Sequence, residues 1–255
     1  MLAEAKFAQS LGAMEKLTLG PWARSVCQDI QTAGWHPMRR SLGRSRKSPT
    51  STQSVECKSL PETADELRAM AKALRADQRS LWLRQNATET NIKQLDLSKY
   101  RTLAFATHGV MAGELKGVGE PGLILTPPKV GTLEDDGYLS SGEIAKLKLN
   151  ADWVILSACN TAAADGSPGA EGLSGMAKAF FYAGARSLLV SHWPVVSEAT
   201  VPLTTSMLRE YEANPKLGKA QAQRKAMLGL MNTPDHPEYA HPLFWAPFVV
   251  VGEGG

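Results

Sequence analysis

Two short segments of this 255-residue chain carry side chains that could act together: Ala-Thr-His-Gly at 106–109 and Ser-Ala-Cys-Asn-Thr at 157–161. Cysteine attacks carbon as its thiolate, and a nearby imidazole can generate that thiolate or protonate a leaving amine. His108 precedes Cys159 by about 50 residues, an order and spacing known for histidine–cysteine pairs that cleave peptide bonds. Gly109 has no side chain, so its N–H can approach a substrate carbonyl oxygen. Together with the N–H of Cys159 it could form an oxyanion hole, where one lost donor typically costs about 3 kcal/mol of transition-state stabilisation. A lone cysteine or histidine at a strand end is usually packing. The pair, in this order and each at the mouth of a strand, favours chemistry.

The surrounding elements must bring the two side chains together. Leu103–Thr107 and Trp153–Ala158 are short continuous apolar runs, the pattern of parallel strands buried on both faces. Ligands of open parallel sheets gather outside the carboxyl ends of the strands. Neighbouring strands about 4.8 Å apart would carry His108 and Cys159 to one substrate. Upstream, Thr63-x-x-Glu66 reads as a capping box opening a helix to about Arg75, with Leu67, Met70, Ala71 and Leu74 on one face. Asn86 precedes a second short helix, with Glu89 three positions on. Residues 109–120 read as a glycine-rich loop and Leu123–Thr126 as a short strand.

Ser140-x-x-Glu143 is a second capping box, with Leu139 and Ile144 as its hydrophobic staple and a helix running to near Leu147. A loop at 160–169 leads into an apolar helix at about 171–183, stopped by Gly184. Arg186–Ser191 is the next strand, and Ser197 is placed to cap a helix from Glu198 to about Glu212. A helix at about 217–231 and a last strand, Phe248–Val251, complete the pattern. Strands alternating with helices imply right-handed crossovers and a mainly parallel sheet, an α/β protein.

Lysine and arginine (28) exceed aspartate and glutamate (25) by +3, yet five of the basic residues lie within 39–47, leaving −2 elsewhere. The folded part therefore shows no nucleic-acid footprint, and the basic run reads as a solvated tail. Cys27, Cys57 and Cys159 are too few and scattered for a disulfide scaffold or a zinc site, which fits a reducing, cytoplasmic setting. No apolar stretch approaches the roughly 20 residues of a membrane span, and the start lacks a secretory apolar core. Residues 1–57 are expected to form a poorly patterned arm, disordered or regulatory, and 58–255 the folded domain. Gly117-Val-Gly119-Glu-Pro-Gly122 fits a dinucleotide pattern, but a strand rather than a helix follows it. His236 and His241, near Asp235 and Glu238, read as loop residues, so the sequence calls for no metal or cofactor.

Five motifs occur in order: Ala-Thr-His-Gly (106–109), Leu-Ser-Ala-Cys-Asn-Thr (156–161), the Gly-Leu-Ser…Ala-Phe-Phe-Tyr-Ala-Gly-Ala helix (172–185), Ser-His-Trp-Pro-Val (191–195) and Phe-Trp-Ala-Pro-Phe-Val (244–249). Together they resemble the CHAT domain, a caspase-like domain found in bacteria with tetratricopeptide repeats and related to separase. The resemblance runs from about Leu60 to Gly252. It implies a caspase-like three-layer αβα sandwich and cysteine endopeptidase activity on a protein or peptide substrate, in a regulated bacterial signalling or defence pathway. It assigns His108 and Cys159 as the dyad and Gly109 as an oxyanion contributor. The loop after Trp193 would line the specificity pocket, with Trp193, Ser197 and Glu198 facing substrate. Glu198 then either accepts a basic P1 side chain or is a first-turn acid favourable against the helix dipole. His192 reads as a strand residue. A helical-repeat regulator on another chain is also implied.

In the family a further strand lies upstream, beside the histidine strand, and residues 1–57 show no recognisable version of it. Without one, 103–107 would be an exposed apolar edge. Lys16-Leu-Thr-Leu19 could fill the position, a partner chain could supply it, or the sheet could be truncated. Two functions follow: a cysteine endopeptidase, favoured by the intact dyad, and a silent or effector-dependent interaction module, favoured by the missing amino-terminal half.

Overall fold

A computed structural model describes residues 5–9 (as backbone), 61–112, 118–128, 130–132, 134–158, 175–193 and 195–254. Its strands are β1 (Ala5–Gln9), β2 (Leu81–Trp82), β3 (Thr102–Ala106), β4 (Gly109–Val110), β5 (Gly122–Ile124), β6 (Tyr138–Ser140), β7 (Trp153–Ser157), β8 (Ser187–Ser191) and β9 (Phe248–Gly252). The helices are α1 (Pro61–Ala73), α2 (Glu89–Gln94), α3 (Ser141–Ile144), α4 (Gly175–Ala183), α5 (Ser197–Ala213), α6 (Lys219–Met231) and α7 (Pro242–Trp245).

Six strands form the main sheet in the order β2-β1-β3-β7-β8-β9, parallel throughout except for β9. Side chains alternate across it and build two cores. On one face Leu103, Phe105, Val154, Leu156, Leu188 and Val190 meet Met176, Ala179 and Phe180 of α4. On the other, Ala104, Ala106, Trp153, Ile155 and Leu189 meet Leu67, Met70 and Leu74 of α1, Leu203 and Met207 of α5, and Ala226 of α6. The result is the expected α/β sandwich of three layers. A second, antiparallel sheet, β4-β5-β6, rises from the end of β3.

The strand beside β3 is β1, paired from Ala5↔Thr102 to Gln9↔Ala106. It lies upstream of Lys16–Leu19, the segment that sequence offered for this position, and it closes the apolar edge that β3 would otherwise present. The Lys16–Leu19 segment and the basic run at 39–47 lie outside the described residues.

Local signals explain most boundaries. Ser140 and Glu143 form the expected capping box, Glu143 N donating to Ser140 Oγ (3.3 Å) and Ser140 N donating to Glu143 Oε2 (2.9 Å). The Thr63 box does not form, because the helix starts at Pro61 and both Thr63 and Glu66 are buried inside it. Proline is preorganised for a first helical turn. Thr88, not Asn86, caps α2, its hydroxyl accepting from Asn91 N (3.2 Å). Val196 rather than Ser197 precedes α5 and supplies no side-chain cap, so Ser197 is the first helical residue. The stretch read as loop after His108 contains β4, and β6 was not anticipated.

Two charge networks brace the fold. Asp152 binds both Arg101 and Arg186, tying the approaches to β3, β7 and β8. Buried Glu89 accepts from Asp136 N (2.7 Å), Gly137 N (2.8 Å) and Lys93 (3.0 Å), and Lys93 continues to Glu143 (2.7 Å). Loss of water opposes the Lys93 charge, but hydrogen bonds to Glu143 and Glu89 outweigh it and hold the ammonium pKa above its ordinary value.

Gly184 stops α4 with φ +110°, and a Cβ there would lie 2.4 Å from the Leu149 carbonyl oxygen. Gly184→Ala is therefore expected to destabilise the fold by at least ~2 kcal/mol, read from the urea midpoint at unchanged m-value.

Candidate active site

β3 and β7 lie side by side in parallel register, Ala106 opposite Ser157, so the chain leaves two adjacent strand ends toward His108 and Ala158. Each end is fastened by a hydroxyl. The Thr107 side chain, 2% exposed, donates to the Ile124 carbonyl, locking the turn before His108 onto β5. The Ser191 side chain, fully buried at the end of β8, donates to the Ala158 carbonyl.

His108 is half-buried, and its carbonyl accepts from Ile124 N at 2.9 Å. That bond makes 108 and 124 a hydrogen-bonded pair of the antiparallel ladder. Gly109, opposite Leu123, is then a non-bonded position whose N–H turns away from β5. β4 is an edge of its sheet, so this N–H faces outward from the ladder, beside His108.

Cys159, the expected nucleophile, lies outside the described residues, directly after Ala158 in the chain, as does the loop at 160–169. Trp193 is half-buried just past β8, and its indole N–H is buried with no partner among the described residues. Ser197 is partly exposed and Glu198 exposed in the first turn of α5, which begins at the same end of the sheet. His192 sits past the end of β8 rather than within it and is exposed, its N–H donating to Pro247 O (2.9 Å). His108 and Gly109 thus follow the carboxyl end of β3, and Trp193, Ser197 and Glu198 that of β8, the two strands that flank β7.

Two further histidines have partners of their own. His236 bonds Glu238 (2.9 Å) and stacks on Tyr239, while His241 caps α7 by accepting from Leu243 N (3.1 Å). Among the described residues no group of three His, Cys, Asp or Glu side chains could hold a metal ion. A cleft of about 580 Å³ lined by Lys93, Asp96, Glu134 and Lys146 opens beside the segments that lead into β3 and β7.

Sequence reasoning missed the roles of three polar residues around the strand ends, Thr107, Ser191 and Glu66, the last of which it read as part of a helix cap. Each had one weak signal, a polar residue on an otherwise apolar face. Glu66 of α1 is 4% exposed, below Ser157. Burial pushes its carboxyl up to about 7, while the hydroxyls of Ser157 and Thr204 against it pull the other way. Its Oε1 has no hydrogen-bond partner among the described residues.

The sheet and the strand-end arrangement define an α/β protein of three layers whose candidate chemistry sits at the carboxyl ends of adjacent parallel strands. The family model described as "CHAT domain" matches residues 4–253, reaching upstream to include β1, and the chain belongs to the CHAT domain family. The chain is also 27% identical over 165 residues to Tetratricopeptide repeat protein 28 of Mus musculus, covering 57% of this chain but 6% of that protein. Among solved structures it is similar to the Arg-specific cysteine proteinase gingipain R, at 11% identity and a TM-score of 0.47, over 74% of this chain and 41% of that one. The chain therefore spans a small part of the first and less than half of the second. Among the described residues no helix is long and apolar enough to cross a membrane.

A buried acid whose pKa is raised binds its proton more tightly in the folded state. The stability it contributes is complete below about 4.5 and is lost as pH rises toward about 7. Glu66→Gln removes the cost of burying the anion. It should be more stable than the parent at pH 8 by up to about 3 kcal/mol, with the two converging near pH 4.5, as read by urea unfolding at both pH values.

Proposed function

We propose that this chain is a cysteine endopeptidase in which Cys159 is the nucleophile and His108 its proton carrier. The observation that supports it most is the β3–β7 register: His108 and Cys159 each stand two residues beyond a directly paired position, Ala106 and Ser157, on adjacent parallel strands. Membership of the CHAT family fits the same reading.

His108 takes the thiol proton, and the Cys159 sulfur attacks the scissile carbonyl carbon to form a C–S bond. Negative charge moves to the carbonyl oxygen, which the N–H groups of Gly109 and Cys159 receive. Collapse breaks the C–N bond, and the imidazolium gives its proton to the departing amine. Water, deprotonated by His108, then adds to the thioester, and the thiolate leaves as the acid product forms. No step calls for a metal or cofactor.

Substrate selection is assigned to Trp193, Ser197 and Glu198. The half-buried Trp193 ring, just past β8, is assigned to the wall of the specificity pocket. On this reading the exposed Glu198 carboxylate pairs with a basic P1 side chain. Regulation by a helical-repeat partner on another chain, in a bacterial signalling or defence setting, is part of the same reading. One matched relative is itself called a tetratricopeptide repeat protein.

A peptide library incubated with the full chain tests this. Cleavage should fall by at least ~10³-fold in Cys159→Ala and by about 10²–10⁴-fold in His108→Ala, both variants keeping their thermal unfolding transitions. Cleavage that survives Cys159→Ala removes the assignment. Binding of peptides with no cleavage by the parent chain leaves an interaction module in its place. With the same library, Glu198→Gln is expected to lower cleavage after Arg and Lys about tenfold relative to cleavage after Ala, and an unchanged profile returns Glu198 to a purely helix-terminal role.

A further inference from the structure

We propose that Ser191 is a positioning residue for this reaction: its hydroxyl holds the peptide unit joining Ala158 to Cys159, and so aims the amide that receives the oxyanion. The inference rests on the peptidase reading above.

Ser191 is the last residue of β8 and is 0% exposed. The paired positions of β7 and β8 are Val154↔Leu188 and Ile155↔Leu189, three residues short of Ala158. Beyond that point the two strands remain joined by a side chain, the Ser191 Oγ–H donating to the Ala158 carbonyl. This bond sits on the far side of β7 from β3, whose pairing reaches Ala106↔Ser157. The end of β7 is therefore gripped by backbone on one flank and by a hydroxyl on the other.

The peptide bond is planar and trans, so a C=O and the N–H of the following residue point in opposite directions. Fixing the Ala158 oxygen consequently fixes the direction of the next N–H, which belongs to Cys159. Oxyanion stabilisation needs its donors preorganised at about 2.7–3.1 Å from where the charge develops. A hydroxyl held inside a core, on a strand different from the one it restrains, is suited to that task. An alanine in its place would leave a buried carbonyl short of its donor and free the peptide plane to tilt.

Two reagents separate this role from simple packing. Iodoacetamide forms a C–S bond with loss of iodide and places no charge on an oxygen. Peptide aldehydes add the thiol across the C=O, forming a C–S bond and an oxygen that the oxyanion donors hold. Ser191→Ala is expected to weaken aldehyde binding (arginal, leucinal and aspartal ends) by about 10–100-fold, while alkylation of Cys159 by iodoacetamide changes by less than about threefold. Ser191→Thr, which keeps the hydroxyl, should recover most of the aldehyde affinity. Equal losses in both reactions would mean that Ser191 only supports the fold, and no loss in either would mean that it does not aim the amide. Both outcomes overturn the proposal while leaving the peptidase reading standing. A parent chain whose Cys159 binds none of the aldehydes overturns both.

Discussion

The parallel pairing of β3 with β7 is the constraint on which the rest depends. Five consecutive residue pairs fix it, from Thr102↔Trp153 to Ala106↔Ser157. A slip of one residue would turn Phe105 and Leu156 from the α4 face to the α1 and α5 face and expel Trp153 from its own core. Burial on both faces therefore penalises every register but the observed one. The amino ends add a second restraint, since Asp152 engages arginines on the approaches to β3 and β8 at once. With the register set, the points at which the chain leaves both strands are set too, and the candidate site needs no further long-range instruction.

The flanks of that pair are completed by distant parts of the chain. β1 covers β3 on one side, and β8 covers β7 on the other. An apolar strand as buried as β3 would otherwise be a template for association. Its cover comes from residues 5–9, more than 90 positions away in sequence, so the amino-terminal strand of the matched family region is built into the sheet interior.

How much of this the sequence reveals depends on whether each signal is local. The β3 and β7 runs, the Ser140–Glu143 box and the Gly184 stop are all legible, because each is decided within a turn or a strand by chemistry present there. The same box pattern misleads at Thr63, where Pro61 starts the helix earlier and the core claims Glu66. β1 is hidden because Ala-Lys-Phe-Ala-Gln has little strand character of its own, and its place comes from pairing with β3 and β2. β4 and β6 are hidden because two- and three-residue strands exist only through their partners on β5. In the site, His108 and Gly109 are legible as residue types at a strand end. The clamps by Thr107 and Ser191 are not, since each bonds a carbonyl 17 or 33 positions away.

The polar groups differ between the two ends of the sheet. The ion pairs of Asp152 with Arg101 and Arg186 stand at the amino approaches of β3, β7 and β8. At the carboxyl ends of β3 and β7 the described links are hydroxyl-to-carbonyl bonds, which hold backbone in place and add no net charge. A full carboxylate buried beneath this end would act over a long range in a low-dielectric interior. Glu66 lies against Ser157, the last residue of β7, and burial raises its carboxyl pKa to about 7. The charges that matter to a thiolate–imidazolium pair would then be its own, together with backbone dipoles aimed by buried hydroxyls. Such an arrangement places rigidity at the strand ends, where a developing oxyanion would need it.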